Sequence, residues 1–281
     1  MKKTIIILAL LCALCATAFA QNTIYVSAKG DDKNDGFSES KAVRSLSTAL
    51  DKASDQSIKT IMVIGTISIE DNPRDLFNIL MRGTLVYINK PIEITITGKP
   101  NATGSERAVL SGNGVKKGGI VGITSGAKVR FEHIEISGGA DNTGSFKGFG
   151  IIVQNGSLTL GTGAVVRDNE DMGILIADST CIIDGGEVRN NRYKGIWVAD
   201  NGVVTMRNGI IRDNSREGIL VAKNGTFTMS GGTITANSFS GVRVDANGRF
   251  DQTGGTINGN TDSSGKDSNI SRANGSLGKN L

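Results

Sequence analysis

From Gly150 to Asn260 the chain alternates apolar and polar residues in runs of three to five, and each run is cut by a turn signal. The stretch GILVAKNGTFTMSGGTITAN, residues 218–237, holds three such runs, divided by Asn224-Gly225 and Gly231-Gly232. A period of two predicts half-buried strands; the 3.6-residue period of a helix is absent from these units. The runs themselves recur. Gly150, Gly173, Gly195, Gly218 and Gly241 each precede Ile or Val, at spacings of 23, 22, 23 and 23 residues. Asn169, Asn191, Asn214, Asn237 and Asn260 keep nearly the same beat, as do the turn pairs Asn155-Gly156, Asn201-Gly202, Asn224-Gly225 and Asn247-Gly248. A unit this short cannot bury its own apolar side chains, but stacked on copies of itself it can. The pattern therefore predicts an all-β parallel β-helix with three strands per coil. Matching residues then lie above one another at the inter-strand distance of roughly 4.8 Å.

That stacking assigns each position a column. One interior column is Val129, Leu158, Cys181, Val204, Phe227 and Phe250, and its neighbour is Phe131, Leu160, Ile183, Met206, Met229 and Gln252. A third is Val166, Val188, Ile211, Ile234 and Ile257. Cys181 thus takes an apolar slot, as a small buried hydrophobe rather than a reactive thiol. The five asparagines form a structural ladder, each amide donating to one neighbour and accepting from the other at turns that water does not reach. Residues between the inward Ile and Val of the glycine-led strand face outward. Ile152, Leu175, Trp197, Leu220 and Arg243 make an exposed column, unless residues 60–147 or a loop from them such as ADNTGSFKG cover it, with Arg192 and Tyr193 in the turn just before Trp197. An apolar surface patch marks a partner, and a flat aromatic ring beside hydrogen-bonding groups suits a protein or a sugar. The candidate ligand-binding residues are accordingly Trp197, Tyr193, Arg192, Leu175, Leu220 and Arg243.

An open stack leaves unpaired strand edges at both ends. Between Ser40 and Asp55 the residues Val43, Leu46, Ala49, Leu50 and Ala53 line one helical face, which predicts a helix plugging the first coil with Ser38 or Ser40 as its cap. The segment GDDKNDG, residues 30–36, lacks the oxygen alternation of a calcium loop, because Lys33 follows the two aspartates. Beyond Asn260 the chain is polar and aperiodic, a flexible tail by composition. Either that tail or a second chain, by self-association, would cover the last coil.

The coils beginning GILVAKNG, together with the opening IYVSAKGDDKNDGFSESKAVRSLSTAL, resemble the right-handed parallel β-helix proteins of the pectate-lyase-like superfamily. The resemblance implies a right-handed coil with an N-terminal helical cap and matches no one enzyme family. The organisation expected is a signal peptide at 1–20, an N-terminal segment with the capping helix at 21–59, the parallel β-helix at 60–260 and the polar tail at 261–281. Lys2 and Lys3, an apolar run from Ile5 to Leu14 and the small-x-small site ending at Ala20 are the marks of a cleaved export signal. This points to a bacterial protein that is extracellular, on the cell surface or periplasmic. Losing the two leader lysines takes the formal charge from +4 to +2, which gives nucleic acid no reason to bind. No later segment has the length and hydropathy of a membrane span.

Enzymes of the resembling superfamily carry clustered carboxylates on the outer surface, with an Arg or Lys as base in the calcium-dependent lyases. No such cluster assembles from the columns. Asn260-Thr261-Asp262 matches a hydrolase tripeptide of the same fold but without its companion motifs, and His133 stands alone in an apolar strand. Asp168, Glu170, Asp171, Asp213 and Glu217 gather at the turn after the ladder, with Arg192 and Lys194 between them, as opposite charges on solvated stacked turns would. No cofactor or metal is expected, calcium entering only with a lyase. Two functions stay open: a non-catalytic binding or adhesion scaffold for a surface protein or polysaccharide, and a carbohydrate-active enzyme of the polysaccharide lyase type.

Overall fold

In the structure, a computed structural model that describes residues 22–68, 84–112, 117–141 and 148–280, the alternating runs wind into three parallel faces. Face I holds the glycine-led strands, among them Ile151–Gln154, Ile174–Ala177, Ile196–Ala199, Ile219–Val221 and Val242–Val244. Face II includes Glu93–Thr97, Lys128–Glu132, Ser157–Leu160, Thr226–Met229 and Arg249–Gln252. Face III includes Ala108–Ser111, Ile134–Ser137, Val165–Arg167, Thr233–Thr235 and Thr256–Asn258. In two coils the chain passes from face II into face III without a break, as Thr180–Arg189 and Val203–Arg212, and the register shifts where they bend. The export leader expected over residues 1–20 lies outside the described residues.

The registers put like residues on like. Val129 pairs with Leu158, Leu158 with Cys181, Cys181 with Val204, Val204 with Phe227, and Phe227 with Phe250. All six are buried, and the Phe227 and Phe250 rings stack with centroids 5.0 Å apart. Each large side chain so buried contributes about 1.5–3 kcal/mol, and the next coil is what removes it from water. Burial pushes the Cys181 thiol up to about 12, so it stays neutral and inert.

The ladder lines the corner between faces III and I. Asn169 Nδ2 donates to Asn191 Oδ1 at 2.8 Å, Asn191 to Asn214 at 2.9 Å, Asn214 to Asn237 at 2.9 Å and Asn237 to Asn260 at 2.8 Å. Each Oδ1 also accepts a backbone N–H from the preceding coil; Asn214 Oδ1, for example, takes Asn191 N at 3.1 Å. The second amide hydrogen reaches a buried carbonyl, as from Asn214 Nδ2 to Val188 O at 3.3 Å. Entry to the corner needs a left-handed residue: Asp168, Asn190, Asp213, Ala236 and Gly259 all have φ between 53° and 63°. Exit needs a glycine, because a Cβ on Gly218 would lie 2.7 Å from Asn237 Nδ2.

At the N-terminal end the first strand, Thr23–Ser27, pairs with Thr60–Ile64 and is covered by helix α1, Leu46–Asp55. The helix is shorter than the apolar pattern predicts. Val43 bridges to Val26 and extends the sheet, Glu39–Lys41 form a single 3-10 turn, and the cap is Ser45, whose Oγ accepts Thr48 N at 3.2 Å, in place of Ser38 or Ser40. Asp32 fastens this cap: its Oδ1 accepts Ser45 N at 2.8 Å and Arg44 N at 3.0 Å, and its Oδ2 accepts Ser45 Oγ at 2.9 Å. The acids of the 30–36 segment therefore hold backbone turns, Asp31 through Lys33 N and Asp35 through Phe37 N.

At the C-terminal end the structure takes the first of the two alternatives for covering the last coil and departs from the expectation only in that the tail is not flexible there. Residues 261–280, which composition marks as a flexible tail, lie over the last coil. Ile270–Arg272 pairs in parallel with Val242–Val244, Leu277 bridges to Arg249, and Asn260 Nδ2 donates to Asn269 Oδ1 at 3.1 Å, adding a rung to the ladder. Arg272 stacks on Phe250 with its guanidinium carbon 5.5 Å from the ring centroid. Unpaired strand edges and a half-open aromatic column provide the drive, which alternation alone does not encode.

Candidate functional site

The outer side of the III-to-I corner gathers most of the candidate binding residues. Ile152, Leu175, Trp197, Leu220 and Arg243 are in register as one column, Trp197 pairing with Leu175 below and Leu220 above. The column is less exposed than alternation predicts: Leu220 is only 8% exposed, and the other four are half-buried. The cause is a second column on its flank. Phe149, Met172, Lys194, Glu217 and Ser240 each directly precede a face I glycine, and all five are buried.

Charged side chains tie the two columns together. Lys194 Nζ sits 3.5 Å from the Tyr193 ring centroid and 5.6 Å from that of Trp197. The Arg216 guanidinium carbon lies 5.0 Å from the Tyr193 ring and 4.4 Å from the Phe239 ring, so cations and aromatic faces alternate up the corner. Glu217 Oε1 is 3.5 Å from Arg243 Nη1, and its Oε2 is 3.9 Å from Arg216 Nε. Arg192 is exposed at the edge of the cluster.

Lys194 and Glu217 correct the sequence reading, which placed them on solvated turns. They are 7% and 1% exposed. The signal was present in the column they share with Phe149 and Met172, a buried position by its other occupants. Asp171 is buried beside them, whereas Asp168 and Asp213 are exposed and pair with Arg167 and Arg212. Arg216, Ser240 and Phe239 were not singled out by sequence pattern at all.

Four buried polar atoms of this corner make no hydrogen bond: Trp197 Nε1, Ser240 Oγ, and Arg216 Nε and Glu217 Oε2, which face each other as an ion pair at 3.9 Å. They come from three successive coils. Buried polar groups in native structures are overwhelmingly paired, and each unpaired one costs about 1–3 kcal/mol, so four together call for a physical cause.

Other surfaces are organised differently. Face III carries an ion-pair network in which the buried Glu135 takes Arg167 at 2.6 Å and Arg107 at 3.1 Å, and Glu187 takes Arg212 at 2.6 Å and Arg189 at 3.3 Å. There the charges compensate one another, although Glu135 Oε2, Arg167 Nε and Arg189 Nε make no hydrogen bond. Burial lowers the Arg167 guanidinium, but its pairing with Glu135 outweighs that and raises it above its ordinary value. On face II two adjoining depressions of about 520 and 450 Å³ share Lys128, Ser157 and Thr180. None of the buried atoms without a hydrogen bond lies in them. His133 stands at the II-to-III corner with φ 47°, its N–H on Thr162 O at 3.0 Å. Asn260 is a ladder rung and Asp262 organises the tail turn through Ser264 and Lys266, which gives that tripeptide a structural role. Among the described residues no three or more His, Cys, Asp or Glu side chains converge as a group that could hold a metal ion. Among them, too, no helix is long and apolar enough to cross a membrane.

Comparison with known proteins returns the same architecture. A family model described as "Right handed beta helix region" matches residues 100–226 and 149–279. Among solved structures, the chain is similar to pectate lyase Pel9A, at 14% identity, 92% coverage of this chain, 78% of that one and a TM-score of 0.48. It is also similar to an alginate lyase from Paenibacillus sp. str. FPU-7, at 14% identity, 92% coverage of this chain, 99% of that one and a TM-score of 0.45. No curated protein matches the chain.

Proposed function

Since the chain belongs to the right-handed β-helix family, whose coil is a platform for grafted sites, we propose that it is an exported scaffold that binds a surface protein or glycan without transforming it. The observation that carries this reading is the Trp197 corner. It combines aromatic rings, a buried carboxylate and four buried polar atoms without a hydrogen bond on the outside of the stack, beside the half-exposed Trp197. Such groups are what a partner completes on docking.

The ionisable groups at this corner are poorly placed for catalysis. Lys194 is packed on the Tyr193 ring, and Glu217 faces Arg216 and Arg243, so neither offers a free base to a substrate carbon. The test is adhesion of the purified mature chain to glycan- and protein-coated surfaces, wild type against Trp197→Ala. The variant should lose adhesion at least ~10-fold while keeping its melting temperature within a few degrees, as befits a contact residue on a half-buried face. Unchanged adhesion would remove the corner from the account. Heat-labile formation of an unsaturated, ultraviolet-absorbing product from uronate polymers would replace the scaffold by a polysaccharide lyase.

A further inference from the structure

The unpartnered atoms at the corner describe their missing partner. Trp197 Nε1 and Arg216 Nε can only donate, Glu217 Oε2 accepts, and Ser240 Oγ does either. A ligand that satisfies them must offer donors and acceptors close together, which hydroxyl groups do. Its charge is constrained as well. Glu217 is a carboxylate only 1% exposed that Arg216 and Arg243 already face, so a ligand carboxylate would have to displace it from those two cations and would sit beside a like charge. A ligand cation would meet Lys194, Arg216 and Arg243, which already surround that carboxylate and the rings. The half-exposed Trp197 ring supplies flat apolar surface alongside, the Tyr193 ring being packed by Lys194 and Arg216. Arg216 and Arg243, which face Glu217, are themselves 35% and 43% exposed, so solvent reaches the groups beside it.

We propose that the Trp197 corner is a subsite for an uncharged, hydroxyl-bearing sugar ring, with Glu217 and the Trp197 indole N–H as its hydrogen-bonding pair. The proposal rests on the scaffold reading and names its ligand. It also assigns a selectivity: a neutral sugar is accepted and a uronate is rejected.

The experiment is calorimetric titration of the full mature chain with neutral gluco-, manno-, galacto- and xylo-oligosaccharides, and with oligogalacturonate and oligomannuronate. Wild type is set beside Glu217→Gln and Trp197→Phe, with melting curves to show that each variant folds. At least one neutral series should bind. Glu217→Gln should weaken it ~10-fold, the loss of one charge-assisted hydrogen bond, and should narrow the gap to the uronates. Trp197→Phe keeps a ring but not the N–H, and should weaken it by a smaller factor. Uronates binding as tightly as neutral sugars, with Trp197→Phe weakening both, would overturn the selectivity and leave the scaffold standing. No heat from any sugar, while Trp197→Ala still abolishes adhesion, would overturn the sugar in favour of a protein partner. Adhesion indifferent to Trp197→Ala would sink the scaffold reading and this one together.

Discussion

At the scale of single residues, the interior and the corner obey opposite rules. Asn214 is fully buried and has every polar atom satisfied, so its removal takes away the bonds that Asn191 Nδ2, Asn191 N and Val188 O make to it. Asn214→Ala should cost on the order of 3 kcal/mol, read as a lowered midpoint in urea unfolding, because two or more buried groups lose their bonds at once. A loss below about 1 kcal/mol would mean that water enters the ladder. Glu217 is as buried as Asn214 but incompletely satisfied, which is why function is assigned there. The sequence made the first residue legible and hid the second. Repetition of one residue type marks a ladder, whereas a column reading Phe, Met, Lys, Glu, Ser has no type to repeat. Its burial can be seen only through the company the charged residues keep.

Elements came through where periodicity holds and failed where chain ends intervene. The strands of all three faces follow from alternation, since each register is fixed by the burial of one side of the strand. Helix α1 shows the limit. Its apolar face is as predicted, but the start moves to Leu46 because Val43 is claimed by a bridge to Val26, a tertiary contact that no local pattern contains. Asp32 then decides how firmly this cap holds. Burial pushes its carboxyl up, but hydrogen bonds from Ser45 N, Ser45 Oγ and Arg44 N outweigh that and hold it below its ordinary value of 3.8. A depressed folded value stabilises above 3.8, and the contribution is lost as pH falls below 3.8 through the folded pKa. For a carboxylate this exposed the effect at neutral pH is about 1 kcal/mol. Thermal unfolding should therefore show Asp32→Asn less stable than wild type near neutrality, with the difference closing on acidification below 3.8. A difference that is independent of pH would contradict the charge-assisted cap.

For the whole molecule, a stack in which each coil buries its neighbour puts cohesion inside and leaves specificity to the outside. Both ends are managed by non-repeating sequence: α1 over the first strand, and residues 261–280 over the last coil, where Ile270–Arg272 and Asn269 continue the face I sheet and the ladder. The tail was illegible because its pairing is backbone-led and its side chains carry no period. The fold could thus be read almost entirely from repeats, and the position of Trp197 with it, but not the buried charges that make its surroundings a site. The central claim is that the working surface is the corner around Trp197 rather than the hydroxyl-lined depressions of face II. Because Trp197 is the one tryptophan in the chain, its fluorescence emission during titration with a bound neutral polysaccharide reports that corner alone. A saturable shift in emission that tracks binding is predicted; full binding with the emission unmoved would put the partner on another face.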